Sequence, residues 1–287
     1  MPNRLGRIGL DSFSYHRYFG EIGIYEQPTS IHWTTDDFLR RAHDLGLDAV
    51  ALQTVYMPDF NADTVGDLRH KLDELGLEPT ISWGHRPGLE GGTNPAKVAD
   101  LMRTLPLAKT LGCSLVRFVC GDMLTWAIPV EERLRNLKPI IQDTAAEAAR
   151  LGLSLAIENH ADLAMRDIVR LVESVGADNV GICFDTVNCV RVGDVFADAV
   201  HIALPHIRMV HIKDLIALPE SKGNPAAFWP SAPLGRGQLD LIGMIEQLEG
   251  IGYAGRYFVE MAYMHPAYSD EDAAVAESVE YLRQLAL

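Results

Sequence analysis

The 287-residue chain has little cysteine, and its four (Cys113, Cys120, Cys183 and Cys189) form no CxxC pair and no framework spacing. That excludes a disulfide-stapled scaffold and a paired-thiolate zinc site. With most of these thiols in strand-like apolar runs, it points to a reducing, cytoplasmic setting. No stretch approaches the roughly 18 consecutive apolar residues of a membrane-spanning helix. The opening MPNRLGRIGLDSF has no long apolar segment, so a signal peptide is not expected. Positive charge is scarce too: 25 Lys and Arg stand against 39 Asp and Glu, for a net of −14. Such a surface repels a phosphate backbone, so nucleic acid is not an expected partner.

What the chain does have is apolar bulk in a regular order. Hydrophobic residues make up 48% of it, ample for a sizeable core. Strand-like runs occupy residues 7–15, 47–55, 77–85, 113–121, 153–160, 180–188, 207–215 and 255–263, and a helical segment follows each. TTDDFLRRAHDLG opens on a threonine cap with acids behind it, and TVGDLRHKLDELG ends on Gly76, as a helix C-terminus should. The strict alternation predicts a single-domain α/β fold over residues 1–287, an eight-stranded parallel (β/α)8 TIM barrel. A doubly wound open sheet is the alternative, but no Gly-rich dinucleotide fingerprint follows the first run. Residues 216–239 are the longest irregular stretch, on the face where barrel active sites lie and where long loops often form lids.

Four of the apolar runs finish on ligand-type residues: Glu158 in LSLAIENH, Asp185 in VGICFDTVN, His211 in IRMVHIKD and Glu260 in RYFVEMAY. An ordinary solvated acid at a strand end would explain any one of them. Four in consecutive strand–helix units call for a shared cause, because equivalent heights on neighbouring barrel strands meet at one point. Three carboxylates and an imidazole make a hard, oxygen-rich set suited to one divalent ion, Mn²⁺, Mg²⁺, Co²⁺ or Zn²⁺, with Mn²⁺ favoured. Such an ion chelates a hydroxyl and a neighbouring carbonyl and stabilises an enediolate, while a glutamate beside it moves the adjacent proton. Isomerisation, epimerisation, loss of water and loss of CO₂ all share that intermediate.

The motifs IENH, FDTVN, HIKD, the PLGRGQLD turn and FVEM resemble those of the xylose-isomerase-like barrels. That family includes sugar isomerases, ketose epimerases, inosose dehydratases and the endonuclease IV group. The resemblance covers the whole chain in outline and is strongest from Leu153 to Glu260. It implies Glu158, Asp185, His211 and Glu260 as metal ligands. It also implies Glu158 and Glu260 as the catalytic pair that in ketose epimerases moves a proton on either face of the substrate carbon. Two positions depart from the epimerase pattern: the substrate-contacting histidine expected three residues past the metal aspartate is Asn188, and the arginine expected six past the metal histidine is Ala217. The nuclease members need further His and Asp ligands for a three-zinc cluster, yet no histidine lies between His211 and Glu260. The resemblance allows a homo-oligomer.

Other residues bear on which product forms. Arg236, in the PLGRGQLD turn, reads as a clamp for a carboxylate or phosphate. Some members of the family decarboxylate oxidised branched-sugar acids, and such a clamp favours that class. His85 ends the third run as a substrate ligand or proton shuttle. His160 and Lys213 each follow a proposed ligand by two residues and so share its side of the strand; with Asn188 they complete the candidate substrate contacts. One of Tyr15, His16 and Arg17 is a candidate pocket wall, Trp83 reads as core and Trp229 as a face for a sugar ring. Arg117, inside a strand run, requires a partner. The leading expectation is a metal-dependent isomerase or epimerase of a small sugar or sugar acid. The alternatives are a lyase, decarboxylase or dehydratase, of a keto sugar acid and, less favoured, a non-catalytic sugar-binding barrel.

Overall fold

The computed structural model describes residues 8–23, 26–219 and 228–285. Eight parallel strands close into a barrel: β1 (Ile8–Asp11), β2 (Ala49–Gln53), β3 (Glu78–Trp83), β4 (Leu115–Val119), β5 (Ser154–Glu158), β6 (Val180–Asp185), β7 (Ile207–Ile212) and β10 (Tyr257–Val259). β10 pairs with both β7 and β1 and completes the ring. Two short strands, β8 (Asp214–Leu215) and β9 (Ser231–Ala232), form an antiparallel ribbon above β7.

The helices are α1 (Thr35–Asp44), α2 (Val65–Leu75), α3 (Pro95–Leu111), α4 (Val130–Arg150), α5 (Met165–Val175), α6 (Asn188–Arg191), α7 (Phe196–Ala203), α8 (Leu241–Gly250) and α9 (Glu271–Gln284). Local chemistry sets their ends. Thr34 and Asp37 make a reciprocal capping box at the start of α1. Gly76 closes α2 in the left-handed region that its missing Cβ permits. Among the described residues no helix is long and apolar enough to cross a membrane.

The strands are shorter than the apolar runs that mark them, and in two cases a side chain at the break explains it. The first run stops at Asp11 because its carboxylate accepts from Phe13 N at 2.8 Å, turning Ser12–Tyr15 into a 3-10 helix. The sixth stops at Asp185 for the same reason, its Oδ1 accepting from Val187 N at 2.9 Å and Asn188 N at 3.0 Å to start α6. The seventh leaves the barrel after Ile212 to join the ribbon. In the irregular stretch 216–239, residues 220–227, on which the expected lid falls, lie outside the described residues, as do Arg7 of the first run and Ala286 and Leu287 of the last helical segment.

Alternation along each strand divides the barrel wall into two faces. Outward residues such as Leu10, Val50, Ile81, Phe118, Ile157, Phe184, Ile212 and Val259 pack with the helices into one large cluster. Inward residues of the lower layer (Ala49, Ala51, Ala156, Cys183, Met209 and Phe258) form a separate small cluster. Gly9 belongs to this layer because a Cβ there would lie 2.5 Å from the Phe258 ring. Above it, toward the carboxyl ends of the strands, the interior turns charged.

Candidate metal centre and pocket

Glu158, Asp185, His211 and Glu260 each offer one ligand atom, and the four atoms lie within 4.8 Å of one another. Register makes this so: Glu158 pairs across to Cys183, two residues below Asp185, and Asp185 pairs directly with His211. All four residues are at most 3% exposed. His211 Nδ1 stands 3.1 Å from Glu158 Oε2 and 2.7 Å from Glu260 Oε2, yet neither contact has hydrogen-bond alignment. A ring nitrogen set among carboxylate oxygens without hydrogen-bond alignment, all four ligand atoms within 4.8 Å of one another, is an arrangement that suits ligands around a cation. The residues therefore fit a divalent ion.

A second layer holds the ligands. Asp11 Oδ2 lies 3.3 Å from His211 Nε2, a charge contact without hydrogen-bond alignment. Asp11 is itself fixed by Gln53 Nε2 at 3.1 Å and Ser82 Oγ at 3.0 Å. A carboxylate on the far nitrogen orients a ligating imidazole and raises its basicity. The sequence carried the signal for Asp11, an acid closing the first apolar run just as the other four residues close theirs. The buried Arg117 donates through Nε to Glu158 and is the partner of that carboxylate, while its Nη1 reaches Trp83 O at 3.3 Å. Lys213 Nζ bridges Asp185 Oδ2 at 2.7 Å and Glu260 Oε2 at 3.0 Å. Asn188 Nδ2 donates to Asp185 Oδ2 at 2.8 Å and to Glu158 Oε1 at 3.3 Å.

Charge compensation decides the protonation states. Burial would raise the Glu158 pKa, but Arg117 and His211 outweigh it and hold the carboxyl well below its usual range. Burial opposes ionisation of Glu260 as well, and His211 with Lys213 overcomes it. Asp185 goes the other way, raised by burial that Lys213 only partly offsets. Burial disfavours the His211 imidazolium, yet Cys183, Glu260 and Glu158 around it hold its pKa well above the ordinary value. The carboxylate field that favours a proton there favours a divalent cation in its place, because metal binding displaces ligand protons.

A cavity of about 190 Å³ opens over this cluster. It is lined by Glu260, Lys213, Asn188, His160 and His85, all expected site residues, and by Arg86, Arg117, Arg191, Gln53, Phe13 and Tyr263. Glu158, Asp185 and His211 lie beneath it. Burial pushes the His160 pKa down to about 3, so the ring is neutral, and its Nδ1 meets Gly121 O at 3.2 Å. His85 Nε2 pairs with Glu21 Oε1 at 2.8 Å, and Tyr56 OH donates to the other oxygen of Glu21 at 2.7 Å.

Arg236 does not join them. Gly235 N, Gly237 N and Leu239 N all donate to the Asp214 carboxylate, wrapping the PLGRGQLD turn around it. A Cβ at Gly237 would lie 2.0 Å from that carboxylate, so a side chain there would force the turn off it. Arg236 is 63% exposed and pairs with Glu277 at 2.6 Å. The expected clamp at this position is therefore corrected: the arginines of the cavity are Arg86, Arg117 and Arg191. Tyr15, His16 and Arg17 do not wall it either; Tyr15 and Arg17 bond to Asp272 and Glu271, and His16 to Glu26. Trp83 is core, its Nε1 donating to Asp100 at 2.9 Å.

The family model described as xylose isomerase-like TIM barrel matches residues 39–285. The chain is 29% identical over 135 residues to protein YihM of Escherichia coli, covering 46% of this chain and 39% of that protein. It is 24% identical over 173 residues to a 3-oxo-isoapionate decarboxylase of Pectobacterium atrosepticum, covering 60% of this chain and 57% of that one. The alignments thus span between two fifths and three fifths of those relatives' lengths. Among solved structures, an L-ribulose 3-epimerase superposes with a TM-score of 0.74 at 19% identity, over 98% of this chain and 94% of the other.

Proposed function

The chain belongs to the xylose isomerase-like TIM barrel family, and from that premise we propose that it is a divalent-metal-dependent enzyme of the sugar isomerase and epimerase class. It passes through an enediolate of a small sugar or sugar acid. The observation that carries this is the convergence of four buried ligand atoms within 4.8 Å under a cavity at the carboxyl ends of the strands. Glu158, Asp185, His211 and Glu260 would hold the ion, with Mn²⁺ favoured for a set of three carboxylates and one imidazole. When bound, it supplies Lewis-acid polarisation of a substrate carbonyl. The chain's own groups do the rest. Glu260, the one ligand that lines the cavity, takes the proton from the substrate carbon as general base. Lys213, 3.0 Å from it, supplies a proton to the developing oxygen. His85, held by Glu21, and His160 bind hydroxyls.

Glu158 is clamped by Arg117 and Asn188 and lies outside the cavity wall. A single accessible base suits isomerisation, in which one group moves a proton between neighbouring carbons. It suits less well a two-base epimerisation, which needs a second carboxylate on the other face. One accessible base also suits a lyase. Similarity to a 3-oxo-isoapionate decarboxylase and the cationic cavity wall favour that second reading, decarboxylation of a keto sugar acid.

Incubation with Mn²⁺ in D₂O across a panel of pentoses, ketoses and sugar acids, followed by mass spectrometry, tests the proposal. Deuterium gained at one substrate carbon is expected for the isomerase, and release of CO₂ for the lyase. Tight sugar binding with neither would leave a binding module and remove the catalytic reading.

A further inference from the structure

The whole chain is strongly acidic, but the cavity wall is not. It carries four cationic side chains, Arg86, Arg117, Arg191 and Lys213, against two acidic ones, Asp122 and Glu260. Arg117 and Lys213 are taken up by carboxylates of the metal cluster. Arg191 has no carboxylate partner among the described residues. Its Nη1 donates to Asn188 Oδ1 at 2.8 Å and its Nη2 to Trp229 O at 3.2 Å. Its Nε is shut off from solvent with no acceptor. Arg86 also lines the cavity, and among the described residues its partner there is neutral: it donates to Tyr263 OH and lies 5.5 Å from the centre of that ring.

We propose that Arg191, assisted by Arg86, is the receptor for an anionic group of the substrate, so that this site takes a sugar acid, its carboxylate on Arg191, in preference to a neutral sugar. The inference rests on the metal-site reading above and narrows it to a substrate class. Position supports it. Arg191 sits one turn after Asn188 on α6, and the Asn188 amide alone separates its guanidinium from Asp185, with 2.8 Å hydrogen bonds on both sides. A ligand engaging the metal cluster through a hydroxyl and a carbonyl thus brings a carboxylate a few bonds away onto the guanidinium. Fixed between two neutral acceptors, the planar guanidinium is pre-organised, and the second N–H of each Nη is left to donate end-on to a ligand. A fork of this kind matches a carboxylate bidentately.

Calorimetric titration of the Mn²⁺-loaded protein with D-ribonate and with ribitol, which differ at one terminal carbon, tests the assignment. Ribonate is expected to bind at least about tenfold more tightly, the scale of a charged hydrogen-bonded pair. Arg191→Gln is expected to bring that ratio down toward one, changing ribonate affinity far more than ribitol affinity. Arg191→Lys should recover only part of it, since a point charge lacks the fork, and Arg86→Gln should reduce it by a smaller factor. Thermal melting establishes that each variant is folded. Equal binding of the two probes by the wild type, or an Arg191→Gln protein with its preference intact, overturns the proposal. D-ribose 5-phosphate outbinding ribonate by tenfold, with that advantage lost in Arg191→Gln, would assign the residue to phosphate and overturn the carboxylate. The same titrations without Mn²⁺ separate the two readings: an ion that changes neither affinity counts against the metal site, while the ribonate-to-ribitol ratio still reports on Arg191.

Discussion

The outward face of the barrel wall carries Leu10, Val50, Phe118, Ile157, Phe184 and Ile212, while the inward face of the same strands carries Asp11, Gln53, Arg117, Glu158, Asp185 and His211. Both faces are shielded from solvent. The outward one is satisfied by volume and apolar contact, so any side chain of the right shape would serve. The inward one is satisfied only when each charge meets its counterpart: Glu158 with Arg117, and Asp185 and Glu260 with Lys213. The contrast teaches where stability and function separate. A buried ionic network is weak evidence for stability, because desolvation opposes the pairing energy. Its presence at one level of one barrel, above a small apolar plug, points to a role in binding.

Substitutions on the two faces should therefore fail differently. The largest effect is expected at Glu260: Glu260→Gln should lower turnover by about 10²–10⁴, the usual worth of a positioned general base, and weaken Mn²⁺ binding. Full deuterium wash-in by that variant would remove Glu260 from the mechanism. Next, Arg117→Leu leaves Glu158 buried without its cation, at a cost of about 3–5 kcal/mol. Ile157→Ala, one residue away on the other face, should cost about 2–5 kcal/mol through its cavity. Denaturant melts with and without Mn²⁺ tell them apart: the ion should restore part of the loss in Arg117→Leu, where it replaces the missing charge, and give Ile157→Ala only its wild-type increment. Identical recovery in both would mean that the faces do not differ as described. The smallest effect is expected at Asp11, which acts through His211. Asp11→Asn should weaken Mn²⁺ binding by about 10–100-fold, and an unchanged affinity would show that the imidazole needs no orienting group.

The site was partly legible in one dimension. Glu158, Asp185, His211 and Glu260 each close an apolar run, and a repeat of strand and helix predicts that such positions share a rim. Asp11 belongs to the same pattern, though a lone first acid followed by Ser-Phe-Ser reads as an ordinary turn. Arg117 demanded a partner, but nothing in LVRFV says that the partner lies on the next strand. Arg236 was misread because a glycine-flanked arginine near a site looks like a clamp. The Asp214 carboxylate, buried under three backbone N–H groups of that turn, sends it outward. Arg191 had no local signature at all.

Periodicity, helix caps and the residues at strand ends thus determined the barrel and marked four residues that it brings together, since all of these follow from spacing along the chain. Tertiary structure decided which charges meet, which glutamate faces the cavity and which arginine is left with neutral partners beside the cluster. Those outcomes depend on register between strands and on loops folding over one another, and a register is a relation between distant segments that no single segment encodes.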